Sequence, residues 1–505
     1  MTQSIYQQLR RFVGQNTVNP SRRKFIKQVG AGSILISTLG LTACGGGSSS
    51  SSSANTGPRV GVIGAGFAGL SCAYELQKTG YQVTLLEASD HVGGRVRSSS
   101  DFVKGRVVEI GAELIGVNHP TWMAYKDIFN LELRPLTDNP EWASPVRING
   151  TVLSKSEAET LLDEVDQIIE LLDIDAAQVV ADEPWKTPGA AALDSRTLKQ
   201  WVDALNCSDL CKKVVTLTFE SDNGQVASKQ SYLGILAVIK GHGGAVSYLN
   251  DTETHRCVGG NQTLAAKLAE SIKNLHINLP VTKIDWSSSQ VSVTCANGQI
   301  LNFDDIVLAV PPSVWSKIDF QPALPAGLKP QMGSNTKWFA PMASRFWQSR
   351  GQEQYALNEG IFNMTWDGTD GQGDSTNPVF VCFNGGDSSE QARQVFANGG
   401  ESAVRERYLA DLDLLYPGFR SNLSQAGNKT FFMDWPSQPW ALASYSFPAP
   451  GQITTQGQTL FDGIGKHLHF AGEHTCYRFV GFMEGALYSG SQLAKRLAKR
   501  DGFIV

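Results

Sequence analysis

The sequence predicts an α/β fold made of two interleaved domains, and three observations carry that prediction. Residues 60–97 read as strand, glycine-rich turn, helix and second strand, the order of a Rossmann-like unit. Helical periodicity then dominates residues 135–248, and strand-like runs with glycine turns return around residues 257–312 and 468–486. The chain, at 505 residues, is also too long for one simple core.

The first unit is the most informative. An apolar run ends on Gly64-Ala65-Gly66-Phe67-Ala68-Gly69, and a helical pattern continues to Lys78. Gly64 makes the tight turn, Gly66 lets backbone approach a pyrophosphate, and Gly69 lets the helix pack close to the strand. The helix start offers free N–H groups and partial positive charge to the phosphates. A second apolar run closes on Glu87, 18 residues past Gly69, where a carboxylate can accept hydrogen bonds from a ribose. These residues, with Ala88 beside Glu87, are the first candidates for binding a dinucleotide.

Gly93-Gly94-Arg95 narrows the cofactor. The glycine pair permits close backbone approach, and the planar fork of Arg95 can hold a second face of the pyrophosphate. A nicotinamide dehydrogenase has no need of this segment. The stretch from Gly64 to Arg95 resembles the FAD-binding signature of the flavin-containing amine oxidase family, which includes monoamine, polyamine and L-amino acid oxidases and histone demethylases. The resemblance covers nearly all of residues 58–499. It implies an FAD-binding domain in three pieces, 58–134, 251–320 and 441–505, around a mixed-sheet and helical substrate domain in two, 135–250 and 321–440.

Further cofactor contacts follow from the resemblance. The turn Gly111-Ala112-Glu113 is expected to pass over the flavin ring, and the backbone of Val281 to bind the adenine. Gly472 and Glu473 are expected near the ribityl or phosphate, and the Met483 N–H at the ring. Residues 231–242 match a helix bordering the substrate cavity. Residues 277–284 read as one strand, Asn297-Gly298 as a hairpin turn, and residues 305–310 as a buried strand ending at Pro311-Pro312.

Three residues are expected to carry chemistry. Lys337 falls at the family lysine, whose ammonium beside flavin N5 stabilises reduced-flavin charge and positions a water. Tyr445 takes one wall of the aromatic cage, and Phe482 the second, where monoamine oxidases have tyrosine. Ser444 stands where monoamine oxidases carry the cysteine that bonds the flavin, so the FAD is expected to be non-covalent. Leu114 stands where L-amino acid oxidases carry an arginine for the substrate carboxylate, which favours a plain amine. The expected reaction is oxidative deamination of an amine, with O2 or a redox protein as electron acceptor.

Residues 1–57 stand apart from the fold. Arg22-Arg23 followed by an apolar stretch resembles a twin-arginine export signal. That stretch ends at Leu41-Thr42-Ala43-Cys44, which looks like a lipoprotein signal with Cys44 as the acylated residue. Residues 1–44 are thus read as signal peptide and 45–57 as a Gly/Ser tether. The mature protein is expected on the periplasmic or cell-surface face, lipid-anchored at Cys44. No run of eighteen apolar residues follows, so no transmembrane span is expected in the mature chain. The net charge of −5, without a basic stripe, argues against nucleic acid. Eight scattered cysteines form no metal pattern; Cys207 and Cys211 alone make a poor zinc site. No site metal is expected.

Replacing Arg22 and Arg23 together by lysine should hold the protein in the cytoplasm, and Cys44→Ala should abolish labelling by a fatty-acid probe. Lipid labelling of Cys44→Ala would remove the anchor assignment.

Overall fold

The computed structural model describes residues 57–139, 141–373, 377–424 and 429–504. The twin arginines, Cys44 and most of the tether lie outside these residues. Strand Arg59–Ile63 occupies the centre of a five-stranded sheet, ordered Leu468–Phe470, Asp305–Leu308, Arg59–Ile63, Gln82–Leu86, Leu275–His276. Every pairing is parallel. Val60, Val62, Ile306, Val307 and Leu308 are all buried, which a parallel sheet covered on both faces requires. Register sets Ile63 beside Leu308 and Leu308 beside Phe470. Three turns distant in sequence, those starting at Gly64, Ala309 and Ala471, therefore leave the sheet at one edge. Ligands of open α/β sheets bind outside that carboxyl edge.

Helix Phe67–Lys78 packs along the C-terminal helix Met483–Arg500. Leu487, Leu493 and Leu497 are buried there, each worth roughly 1.5–3 kcal/mol of burial. The Ser71 hydroxyl donates to the Leu487 carbonyl at 2.8 Å. Gly490 faces the Ala68 carbonyl oxygen so closely that a Cβ has no room.

Residues 277–284 do not form one strand. Leu275–His276 joins the parallel sheet, and Val281–Asp285 joins a second sheet ordered Ile300–Phe303, Val291–Cys295, Val281–Asp285, Asp319–Gln321. Between them Asn278 takes a left-handed φ of 55° and Pro280 follows, so the chain turns from one sheet to the next.

The third sheet has seven strands, ordered Phe431–Asp434, Asn335–Pro341, Val379–Gly385, Met364–Asp367, Ala356–Asn358, Val146–Ile148, Thr151–Val152. Lys337 lies in its second strand, opposite Phe383 on one side and Met433 on the other. The hairpin of residues 146–152 interrupts the stretch read as mostly helical. Its turn is Asn149-Gly150, with φ of 53° and 75°, the pair a tight hairpin favours. Helices then follow as expected, among them Lys155–Glu170, closed by a Ser154/Glu157 capping box, Asp209–Asn223 and Tyr232–Gly241. Among the described residues no helix is long and apolar enough to cross a membrane.

Alanine in place of a helical glycine ordinarily stabilises by about 1 kcal/mol. At Gly490 the added methyl meets backbone oxygen, which cannot yield, and overpacking of this kind costs about 1–3 kcal/mol. Gly490→Ala is therefore expected to lower the thermal unfolding midpoint. A rise would contradict the close helix contact.

Candidate FAD and amine site

A cavity of about 550 Å3 opens at the carboxyl edge of the parallel sheet. Gly64, Gly66, Phe67, Ala68, Glu87, Ala88, Gly94, Arg95, Gly111, Ala112 and Val281 line it, as do Lys337, Tyr445, Gly472, Glu473, Phe482 and Met483. Ala65, Gly69 and Glu113 are not among its walls. The Ala65 N–H donates to Glu87 Oε2 at 2.6 Å. Gly69 abuts the Gly64 carbonyl with no space for a Cβ, which keeps the helix against the strand. The Glu113 side chain is turned into the protein, where two cations and an indole take its oxygens.

One part of the cavity offers groups that suit phosphate and ribose. Gly66 is the N-cap of its helix and no side chain caps it. A Cβ on Gly66 would meet nothing within 4 Å, so the helix start faces open space. Glu87 Oε1 accepts from the Ser89 amide at 2.8 Å and hydroxyl at 2.7 Å, which orients the carboxylate and leaves a lone pair of Oε2 for a hydroxyl.

The middle is closed by Arg95 and Glu473. Arg95 Nη1 donates to Glu473 Oε1 at 2.8 Å and to the Ser444 carbonyl at 2.7 Å. Glu473 also accepts from the Ser446 hydroxyl at 2.6 Å and the Gly481 amide at 3.0 Å. Burial alone would raise the Glu473 pKa, but the Arg95 charge and these donors hold it below the usual carboxylate range. Its carboxylate therefore locks Arg95 and the chain turns, rather than pointing a free acceptor at a ligand. His474, beside it, was missing from the sequence reading. Both its ring nitrogens are buried without a hydrogen-bond partner, it lines the cavity, and burial lowers its pKa to about 4.

The far end is aromatic and holds one cation. Lys337 is 2% exposed, and its Nζ donates to the Glu109 carbonyl at 3.1 Å, the Gly111 carbonyl at 2.9 Å and Glu113 Oε2 at 2.7 Å. All three donors of the ammonium are thereby engaged. Glu113 Oε1 accepts from Arg256 Nε and Trp366 Nε1, both at 2.9 Å. Burial favours a neutral Glu113, yet the charges of Lys337 and Arg256 prevail and keep its pKa below the ordinary value. Glu109, four residues earlier, has hydrogen bonds but no paired cation, and burial pushes it up to about 7.

Tyr445 donates its hydroxyl to the Asp222 carbonyl at 2.6 Å, and burial raises its pKa well above the usual value, so it stays a phenol. Phe482 is backed by the rings of His242 and His119, with centroids 4.7 and 5.5 Å away. Burial lowers the pKa of both histidines, so the wall behind Phe482 is uncharged. Phe383 and Trp435 complete the lining near Lys337. Sequence reasoning missed both: strand register sets Phe383 opposite Lys337, and Trp435 follows the end of the neighbouring strand Phe431–Asp434. The Ser444 hydroxyl is 2.5 Å from Asn335 Oδ1, and no cysteine is among the residues lining the cavity.

Residues 67–498 match the family model described as flavin containing amine oxidoreductase. The chain belongs to this family. A probable flavin-containing monoamine oxidase A of Dictyostelium discoideum is 24% identical over 87% of this chain and 97% of its own. An L-amino acid dehydrogenase of Synechocystis sp. is 25% identical over 86% of this chain and 94% of its own. Among solved structures, cyclohexylamine oxidase from Brevibacterium oxydans IH-35A superposes with a TM-score of 0.78 at 25% identity, covering 88% of this chain and 99% of the other. Putrescine oxidase bound to putrescine gives a TM-score of 0.76 at 23% identity with the same coverage, a likeness of fold.

This amine oxidoreductase is accordingly an FAD enzyme with the flavin amine oxidase fold. Its own residues fit that cofactor. The uncapped helix start at Gly66 suits the pyrophosphate, Glu87 a ribose, and the partnerless nitrogens of His474 a polar ligand within the cavity.

With Ser444 in the cavity lining and no thiol there, acid or heat denaturation should release all FAD into solution. Colour retained on the denatured polypeptide would show a covalent link.

Proposed function

We propose that the enzyme oxidatively deaminates a small, largely apolar amine. The observation that carries this reading is the cavity lining, in which Lys337, opposite Phe383 in its sheet, is joined by the aromatic side chains of Trp435, Tyr445 and Phe482. FAD, when bound, supplies a two-electron acceptor for the hydride leaving the carbon next to nitrogen; water then hydrolyses the imine. Tyr445 and Phe482 form walls that exclude water and align the amine, and an aromatic face attracts a cationic amine on entry. An amine bound in its neutral form needs no protein base. With FAD bound, Lys337 would supply a positive charge to stabilise the reduced cofactor; its ammonium is held by two carbonyls and Glu113, so the water expected on it would have to displace one of these partners. Glu87, Arg95, Val281 and the backbone at Gly111, Ala112 and Met483 are assigned to holding the FAD, in the interleaved domain pieces given above.

O2 is the proposed electron acceptor, giving H2O2. A dehydrogenase passing electrons to a cytochrome or quinone is the second reading. It is favoured by the dehydrogenase among the relatives and by the lipid anchor and export proposed from Arg22, Arg23 and Cys44. Anaerobic mixing with mono-, di-, poly- and cyclic amines, following loss of flavin absorbance, tests the amine reading. Failure of every amine to bleach the flavin would overturn it. Fast bleaching followed by slow recolouring in air would select the dehydrogenase.

Lys337→Met removes the charge at similar length and leaves Glu113 paired with Arg256. FAD should still bind. Turnover should fall by about ten- to a thousandfold, or roughly 1.4–4 kcal/mol of lost stabilisation. In an oxidase, reoxidation should suffer at least as much as amine oxidation. Stopped-flow rates for both half-reactions that match wild type would remove Lys337 from the site.

A further inference from the structure

Away from the cavity, two thiols and a carboxylate converge. Cys207 and Cys211 flank Ser208, the N-cap of helix Asp209–Asn223, and Glu164 comes from the neighbouring helix Lys155–Glu170. The pair that looked inadequate in the sequence thus gains a third member from another element. A ligand atom from each of Cys207, Cys211 and Glu164 lies within 4.8 Å of the others. In tetrahedral zinc sites the metal–sulfur distance of about 2.3 Å sets sulfurs about 3.8 Å apart. The separations in the cluster are thus of the order a shared ion requires.

The carboxylate is already oriented. Glu164 Oε1 accepts from the Ser208 amide at 2.7 Å, and Oε2 from the Ser208 hydroxyl at 2.6 Å. Outer hydrogen bonds of this kind align metal-binding carboxylates, and each oxygen keeps a lone pair for a cation. Without a cation the cluster is electrostatically poor: burial, the Cys207 thiol and the Glu164 charge all disfavour a Cys211 thiolate. A divalent ion reverses each of those penalties except the burial, and it offsets that one directly. Cys207 and Glu164 are half-buried, which leaves an entry path and room for a water ligand.

We propose that Cys207, Cys211 and Glu164 form a site for a thiophilic divalent cation of the zinc class, with solvent water as the fourth ligand. Binding replaces two S–H bonds by two metal–sulfur bonds and releases two protons, so affinity rises with pH. The ion joins the N-terminal turn of helix Asp209–Asn223 to the middle of helix Lys155–Glu170 and takes no part in amine chemistry, since none of its ligands lines the cavity.

The test is a Co2+ titration of the thiol-reduced, FAD-loaded full chain. Thiolate-to-cobalt charge-transfer absorption should rise to an equimolar end point, with proton release, and zinc should displace it. Cys207→Ser and Cys211→Ser should each abolish the band while leaving the flavin spectrum and thermal midpoint of the metal-free protein in place. Glu164→Gln should weaken cobalt binding about tenfold or more. The proposal is overturned by absence of the band, by its survival in the double serine variant, or by a Cys207–Cys211 disulfide that forms in preference when zinc is present.

Discussion

The Arg95–Glu473 ion pair is the interaction on which the site depends. It links residues 378 apart in sequence and bridges the loop after the first βα unit to the turn before the C-terminal helix. Those two segments both line one cavity, and neither carries a complete binding surface. An isolated buried pair of this kind often contributes little net stability, because desolvation offsets attraction. Here Glu473 also collects the Ser446 hydroxyl and amide and the Gly481 amide, so the carboxylate is fully solvated by protein. Removing Arg95 would leave a charge buried beside the flavin site, whereas removing both partners would free three chain segments from one another.

The same device recurs around the cavity. Glu87 ties Ala65 to Ser89, Glu109 ties Ser98 to Asn261, Glu113 ties Arg256 to Lys337, and Glu484 caps the helix start at Thr121 and Trp122. Each joins parts of the chain that hydrophobic packing brings near but does not align. The four apolar clusters position sheets and helices; the buried carboxylates set the angles of the turns that face the ligand.

How much of this was legible follows from the range of the forces involved. The Gly64–Gly69 turn, Glu87 and Arg95 announce themselves because their chemistry is local: strand, turn and helix are adjacent in sequence, and each glycine answers a short-range steric demand. Lys337, Tyr445 and Phe482 were legible only through resemblance, and all three line the cavity. Glu113 was read only as part of the turn over the flavin; the ion pairs of its side chain were not legible, because the cations that draw it inward lie 143 and 224 residues away. Phe383, Trp435 and His474 were invisible for a similar reason. Phe383 depends on sheet register, Trp435 on the turn that follows a paired strand, and His474 on the tight turn after Gly472. The strand expected over residues 277–284 failed at Asn278, where a single left-handed residue outweighed the apolar pattern.

The bond from the Tyr445 hydroxyl to the Asp222 carbonyl bears on how amines are told apart. A tethered ring has already lost its rotational freedom, so a ligand arriving against it bears no ordering cost at that wall. The corollary is that the wall cannot adapt. An amine too broad for the gap gains nothing from a rotamer change there, and one too slim leaves unfilled space that costs dispersion contacts. On the proposed reading, breadth across the ring is therefore judged by a rigid gauge.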